Sequence, residues 1–155
     1  MTIEHGDPLP AIDLVLPAGE RMSLAERRGR PFVLYFYPKD DTSGCTREAQ
    51  DFSALYPEFQ ALGADVLGVS RDTPAKHQKF IAKYALAVPL ASDEEGAVLE
   101  AFGVWGEKKL YGKTYMGIER ATFLFDAAGV LARSWRKVKV PGHVDEVLAA
   151  VRALT

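Results

Sequence analysis

The segment Phe32-Val33-Leu34-Tyr35-Phe36-Tyr37 is an unbroken apolar and aromatic run, closed by Pro38. With no polar alternation it has no face to offer water, so as a strand it must be covered on both sides. The chain therefore needs a sheet with layers above and below it. The sequence supplies them: from Cys45 onward Phe52, Leu55, Tyr56, Phe59 and Leu62 recur at helical spacing. Pro57 interrupts that pattern and predicts a kink or a restart of the helix, and Gly63 predicts its stop. Asp65-Val66-Leu67-Gly68-Val69 reads as a second buried strand. Asp72-Thr73-Pro74 then opens a helix that runs to about Tyr84. Strand, helix, strand, helix implies parallel pairing.

The flanks are shorter and plainer. Gly6-Asp7-Pro8-Leu9-Pro10 reads as an extended arm. Asp13 to Leu16 and Arg21 to Ser23 read as two short strands around Pro17-Ala18-Gly19. Val88 to Ala91 adds a strand and Glu95 to Phe102 a short helix. Thr122 to Phe125 and Val130 to Trp135 predict a hairpin around Asp126-Ala127-Ala128-Gly129. Val144, Val147, Leu148, Val151 and Leu154 lie along one face of a closing helix. The expected fold class is α/β, with a central mixed sheet flanked by helices on both faces. No repeat, linker or low-complexity tract divides the chain, so one domain over residues 1–155 is expected, its compact part running from about Asp7 to Leu154.

Composition narrows the function. The 155 residues are 48% hydrophobic and 26% charged, enough for a buried core, and the formal net charge is −2. That balance provides no electrostatic footprint for nucleic acid or an anionic membrane, and small neutral substrates fit better. No stretch approaches the length of a membrane span and the N-terminus lacks a signal pattern, so a cytoplasmic location is the default expectation. The single cysteine, Cys45, permits no internal disulfide and no thiolate-rich metal site.

Cys45 stands where the apolar strand hands over to the helix. A thiol in a first helical turn lies among unpaired backbone N–H groups at the positive end of the dipole, which favours thiolate over thiol. Ionisation alone is not enough. Lowering a thiol pKa from about 8.5 to about 6 raises its thiolate fraction at neutral pH roughly thirtyfold. The accompanying loss of nucleophilicity is roughly tenfold. A fast reaction with a peroxide therefore needs groups that align the O–O bond with sulfur and stabilise charge on the departing oxygen.

Such groups are present. Thr42 carries a hydroxyl able to accept from and donate to a peroxide, and backbone N–H groups near Gly44 and Cys45 point outward from the helix start. Pro38 stiffens the loop and shields the sulfur from water. Arg120 precedes the strand Ala121 to Phe125 and brings a permanent cation to the sulfur if that strand lies beside the central one. Glu48, one turn beyond Cys45, is placed to orient the guanidinium.

The pattern Pro38, Thr42, Cys45 resembles the Pro-x-x-x-Thr-x-x-Cys site of the peroxiredoxins. Phe36-Tyr37-Pro38-Lys39-Asp40-Asp41-Thr42, Gly44-Cys45-Thr46-Arg47-Glu48-Ala49, Phe102 to Lys108, Gly112-Lys113-Thr114-Tyr115 and Gly117-Ile118-Glu119-Arg120 are similar to the bacterioferritin comigratory protein, or peroxiredoxin Q, branch. The resemblance spans nearly the whole chain and implies a thioredoxin-like fold. It implies catalytic roles for Cys45, Arg120, Thr42 and Pro38, with Glu48 and Gly44 in support. The implied activity is reduction of hydrogen peroxide and organic hydroperoxides through a Cys45 sulfenic acid, with no cofactor or metal. Many members of the branch carry a resolving cysteine five residues after the first. Here that position is Gln50, and Ser43 stands where proline is common, so the chain is similar to a one-cysteine peroxiredoxin. Its sulfenic acid then needs an external thiol, whether thioredoxin, glutaredoxin, glutathione or Cys45 of a second molecule, and a monomer or weak homodimer is expected.

Other readings are weaker. A peroxide sensor passing oxidation to a partner shares the motif and is the alternative. A dithiol oxidoreductase needs Cys-x-x-Cys, which the sequence lacks. His5, His77 and His143 are scattered and are assigned surface or capping roles rather than a metal site. Trp105 and Trp135, with Phe36 and Tyr37, are assigned to core or pocket wall, and Arg27-Arg28 and Arg136-Lys137 to solvent.

Overall fold

The computed structural model describes residues 2–155. Strand β1 (Asp13–Val15) pairs antiparallel with β2 (Arg21–Ser23), and a 3₁₀ turn over Leu24–Arg27 leads to β3 (Phe32–Phe36). Helix α1 (Ser43–Ala61), β4 (Asp65–Ser70), α2 (Pro74–Tyr84) and β5 (Leu90–Ser92) follow. After α3 (Ala97–Ala101) come β6 (Trp105–Leu110) and β7 (Lys113–Ile118), then β8 (Ala121–Phe125), β9 (Leu131–Trp135) and α4 (His143–Leu154).

Seven strands form one sheet in the order β2-β1-β5-β4-β3-β8-β9. The run over β3 takes the centre, parallel to β4 and antiparallel to β8, and all five of its residues are buried. Two apolar clusters cover the two faces, as an unalternating strand requires. One holds Phe36, Phe102, Phe123 and Phe125 with Leu24, Val98 and Leu99, against α3 and the 3₁₀ turn. The other holds Tyr35, Tyr37, Phe52, Phe59, Phe80, Val147 and Cys45 under α1, α2 and α4. Tyr35 stacks on Phe52 with ring centres 4.3 Å apart, and only glycine at position 68 leaves room, because a Cβ there would stand 2.5 Å from the Tyr35 ring.

Three expectations need correction. Helix α1 runs as one element through Pro57, so of the two alternatives, a kink or a restart, the restart is excluded. Buried Phe52 and Phe59 anchor it on both sides of the proline, so packing carries the helix past one missing N–H. His77 and His143 are buried rather than at the surface or merely capping. His143 Nε2 lies 2.8 Å from Thr122 Oγ1, and burial pushes its pKa down to about 4, so it is a neutral core residue at neutral pH. Arg136 is not simply solvated. It donates to Glu119 at 2.8 Å and to the Gly103 carbonyl at 2.6 Å, locking the corner before β8.

The hairpin β6–β7 was not visible in the residue pattern. It is a separate two-stranded ribbon pairing Trp105 with Ile118 through Leu110 with Lys113. Most of its residues face solvent, so no apolar alternation marks it. Its one local signal is Tyr111-Gly112, both at positive φ (51° and 76°), the two-residue turn that suits a twisted hairpin.

Candidate active site

Thr42 is the N-cap of α1, and Cys45 is the third residue of the helix. The first helical bond is Thr46 N–H to the Thr42 carbonyl at 2.8 Å. The N–H groups of Ser43, Gly44 and Cys45 therefore have no partner within the helix, and the Thr42 side chain does not cap them. Its hydroxyl instead donates to the Lys39 carbonyl at 2.9 Å. With its hydrogen engaged, Thr42 offers lone pairs to an incoming O–H and would have to release Lys39 to donate.

Register brings the cation in. Strands β3 and β8 pair antiparallel with Phe36 opposite Ala121, so Arg120 emerges beside the C-terminal end of β3, where α1 begins. Its backbone is pinned by Val138 N–H at 2.9 Å. From there the guanidinium spans two groups of α1. Nη1 donates to Glu48 Oε1 at 2.7 Å and Nη2 to Cys45 Sγ at 3.4 Å. Gly44 leaves the space for it, since a Cβ on that residue would stand 3.1 Å from Nη2.

Glu48 is completely buried, and its second oxygen has no partner among the described residues. Burial raises its pKa to about 7, and Arg120 acts in the opposite direction. Burial works against the charge on Arg120, but Glu48 and Cys45 together outweigh it and raise its pKa, so it remains a cation. Cys45 is 2% exposed, while Thr42 is exposed and the Arg120 side chain keeps 16% in solvent. The sulfur is thus covered but lies near the surface.

On the Pro38 side of the loop that leads to α1, a groove of about 340 Å³ is lined by Pro38, Lys39, Arg71, Trp105, Lys108 and Met116, among others. Lys108 has its pKa lowered by burial and by Arg120. Lys108 was not singled out from the sequence, nor was Asp40, which pairs with His77 inside the loop. The structure brings together Cys45, Arg120, Glu48 and Gly44, with Thr42 and Pro38 on the adjoining loop. Gln50, at the position of the missing second cysteine, faces solvent.

The chain is similar to known proteins along most of its length. Residues 5–134 match the AhpC/TSA family. The chain is 50% identical over 149 residues to Peroxiredoxin Bcp of Xanthomonas campestris, covering 94% of this chain and 93% of that one. It is 48% identical over 155 residues to Peroxiredoxin Bcp of Bacillus subtilis, covering 100% and 99%. A solved structure of the Xanthomonas campestris bacterioferritin comigratory protein, described in terms of its alkyl peroxide reduction activity, superposes with a TM-score of 0.89. It shares 48% identity and covers 97% of this chain and 98% of that one. The architecture is therefore the thioredoxin-like mixed α/β fold. A strand-to-helix thiol faced by an arginine from a neighbouring strand, on a chain matched along its length by these relatives, places the protein in the AhpC/TSA family, as a one-cysteine member of the bacterioferritin comigratory protein, or peroxiredoxin Q, branch.

Proposed function

We propose that Cys45 is the peroxide-reactive sulfur of a thiol-dependent peroxidase acting on hydrogen peroxide and organic hydroperoxides. The observation that carries this reading is the Arg120 guanidinium joining Cys45 Sγ to Glu48. A sulfur lone pair attacks the nearer peroxide oxygen and the O–O bond breaks, leaving sulfenic acid on Cys45 and an alkoxide or hydroxide that takes a proton to leave as alcohol or water. Arg120 and the uncapped N–H groups of α1 face the charge that develops. Thr42 accepts from the peroxide O–H, and Pro38 holds the loop and limits water.

Reduction then takes two equivalents of thiol. The first condenses with the sulfenic acid, releasing water and forming a mixed disulfide. The second displaces Cys45 and leaves as the small-molecule or protein disulfide. Thioredoxin, glutaredoxin and glutathione are the candidate reductants, acting on a cytoplasmic monomer or weak homodimer that binds neither nucleic acid nor membrane. Among the described residues no helix is long and apolar enough to cross a membrane. The relatives' naming as peroxiredoxins favours turnover over a sensing relay.

Intact-mass analysis tests the cycle. One equivalent of peroxide adds one oxygen to the chain, Cys45→Ser loses that addition, and a thiol supplied afterwards yields an adduct or regenerated thiol. A Cys45→Ser chain that consumed peroxide at the parent rate, or an oxidised parent inert to every thiol tried, would exclude the reading.

A further inference from the structure

We infer that His77, acting through Asp40, is a positioning residue for the peroxide reaction: it fixes the loop that carries Pro38 and Thr42 to the mouth of α1. This rests on Cys45 being the sulfur that peroxide oxidises.

Past the buried Tyr37, the loop between β3 and α1 turns one residue inward before the helix begins. Lys39, Asp41 and Thr42 are exposed, whereas Asp40 is buried. Every polar group of Asp40 that faces the interior is engaged. Its N–H donates to Asp72 Oδ2 at 2.8 Å, a carboxylate oxygen that also accepts from Ser70 Oγ at 2.7 Å. Its Oδ1 accepts from the Tyr37 hydroxyl at 2.5 Å. Its Oδ2 lies 2.6 Å from His77 Nδ1, on the first turn of α2. His77 is fully buried, and its other nitrogen, Nε2, lies 3.0 Å from the Ala91 carbonyl of β5.

The protons can be placed by donor and acceptor rules. A carbonyl only accepts, so Nε2 carries a hydrogen. One further proton lies between Nδ1 and Asp40 Oδ2. A buried pair that is fully bonded is a rigid anchor, whereas one with a partner removed leaves an unsatisfied polar group.

Asp40 is two residues from both Pro38 and Thr42, so this anchor sets where those side chains stand relative to the sulfur. Asp41 also ties the loop to α2, accepting from Lys83 at 2.7 Å and from the Tyr84 hydroxyl, but these bonds are at the surface and correspondingly weaker. Attack on an O–O bond depends on alignment, and a shift of about 1 Å is enough to slow such a reaction about a hundredfold. None of Tyr37, Asp40 or His77 touches a reacting atom, so their effect is on geometry alone.

Amide isosteres separate the two bonds of His77. In His77→Asn the amide nitrogen takes the place of Nδ1 and keeps a donor toward Asp40. In His77→Gln it takes the place of Nε2 and keeps the bond to Ala91. Two rates are measured on each folded variant: oxidation of Cys45 by hydrogen peroxide in a single turnover, and alkylation by iodoacetamide, which needs a reactive sulfur but no peroxide alignment. The expected result is at least tenfold slower oxidation in His77→Gln with alkylation within threefold of the parent, and both rates within threefold in His77→Asn. Equal slowing in both variants, a parallel fall in alkylation, or parent-rate oxidation in His77→Gln overturns the inference. Should His77→Gln not fold, Tyr37→Phe removes only the hydroxyl on Asp40 and must show the same selective loss; parent-rate oxidation there overturns it equally. A parent chain unreactive toward peroxide would instead count against the reading of Cys45.

Discussion

Replacing Glu48 with glutamine keeps the shape of a buried side chain and removes its charge. The carboxyl titrates at about 7 in the folded chain against an ordinary value of 4.5, because burial outweighs the help from Arg120. Between those two pH values the folded chain holds a proton that the unfolded chain has lost. Stability contributed by Glu48 is therefore fully present below about 4.5 and drains away as pH rises through about 7. At 1.36 kcal/mol for each tenfold step, the ionised group weakens the fold by about 3 kcal/mol at pH 8 and by under about 1 kcal/mol at pH 5. Urea unfolding of parent and Glu48→Gln across that range isolates the effect. The parent should lose about 2–3 kcal/mol relative to the variant between pH 5 and pH 8. A difference that is flat with pH would show that the Arg120 pairing balances burial, and one that favours the parent more as pH rises that it outweighs burial; either result excludes the predicted loss. At pH 8, where the parent carboxyl is ionised, the same variant should oxidise about tenfold more slowly, since a neutral acceptor holds the guanidinium less firmly than a carboxylate. Stability and reactivity then move in opposite directions at one residue.

Two glycines provide further tests. Gly68→Ala puts a methyl 2.5 Å from the Tyr35 ring, already stacked on Phe52, and should lower unfolding free energy by about 1–3 kcal/mol in urea titration; no loss would mean the strand has slack that the packing does not show. Gly44→Ala puts one 3.1 Å from Arg120 Nη2, forcing the guanidinium aside by a few tenths of an ångström. Oxidation of Cys45 should slow severalfold with no loss of thermal stability, and an unchanged oxidation rate would mean Arg120 tolerates the displacement.

The parts of this molecule that sequence revealed are those where one physical requirement dominates. An apolar run with no alternation can only be a covered central strand, and β3 is one. Proline after threonine opens α2 with Thr73 as its cap, accepting from Lys76 N–H. The meeting of Cys45, Arg120 and Glu48 was legible through spacing on α1 and the placement of Arg120 before a strand, but it depended on β8 lying next to β3. That adjacency is a long-range pairing. What stayed hidden has the same character. His77 and Asp40 are 37 residues apart and meet only because α2 packs over the loop. Each alone reads as a polar surface residue, and burial is a property of the folded pair. The ribbon β6–β7 was hidden for the opposite reason: it packs little, so its sequence carries no core pattern.

The planar guanidinium of Arg120 holds Glu48 with Nη1 and Cys45 with Nη2 in one fixed span, which a lysine ammonium, with its three donors gathered at one point on a flexible stem, does not reproduce. The direct test is the rate at which hydrogen peroxide oxidises Cys45 in Arg120→Lys, followed in a single turnover beside the parent. Loss of a preorganised charge-stabilising group predicts a fall of about 10²–10³. An Arg120→Lys chain that kept the parent rate would contradict the claim that the bridge between Cys45 and Glu48 drives the reaction.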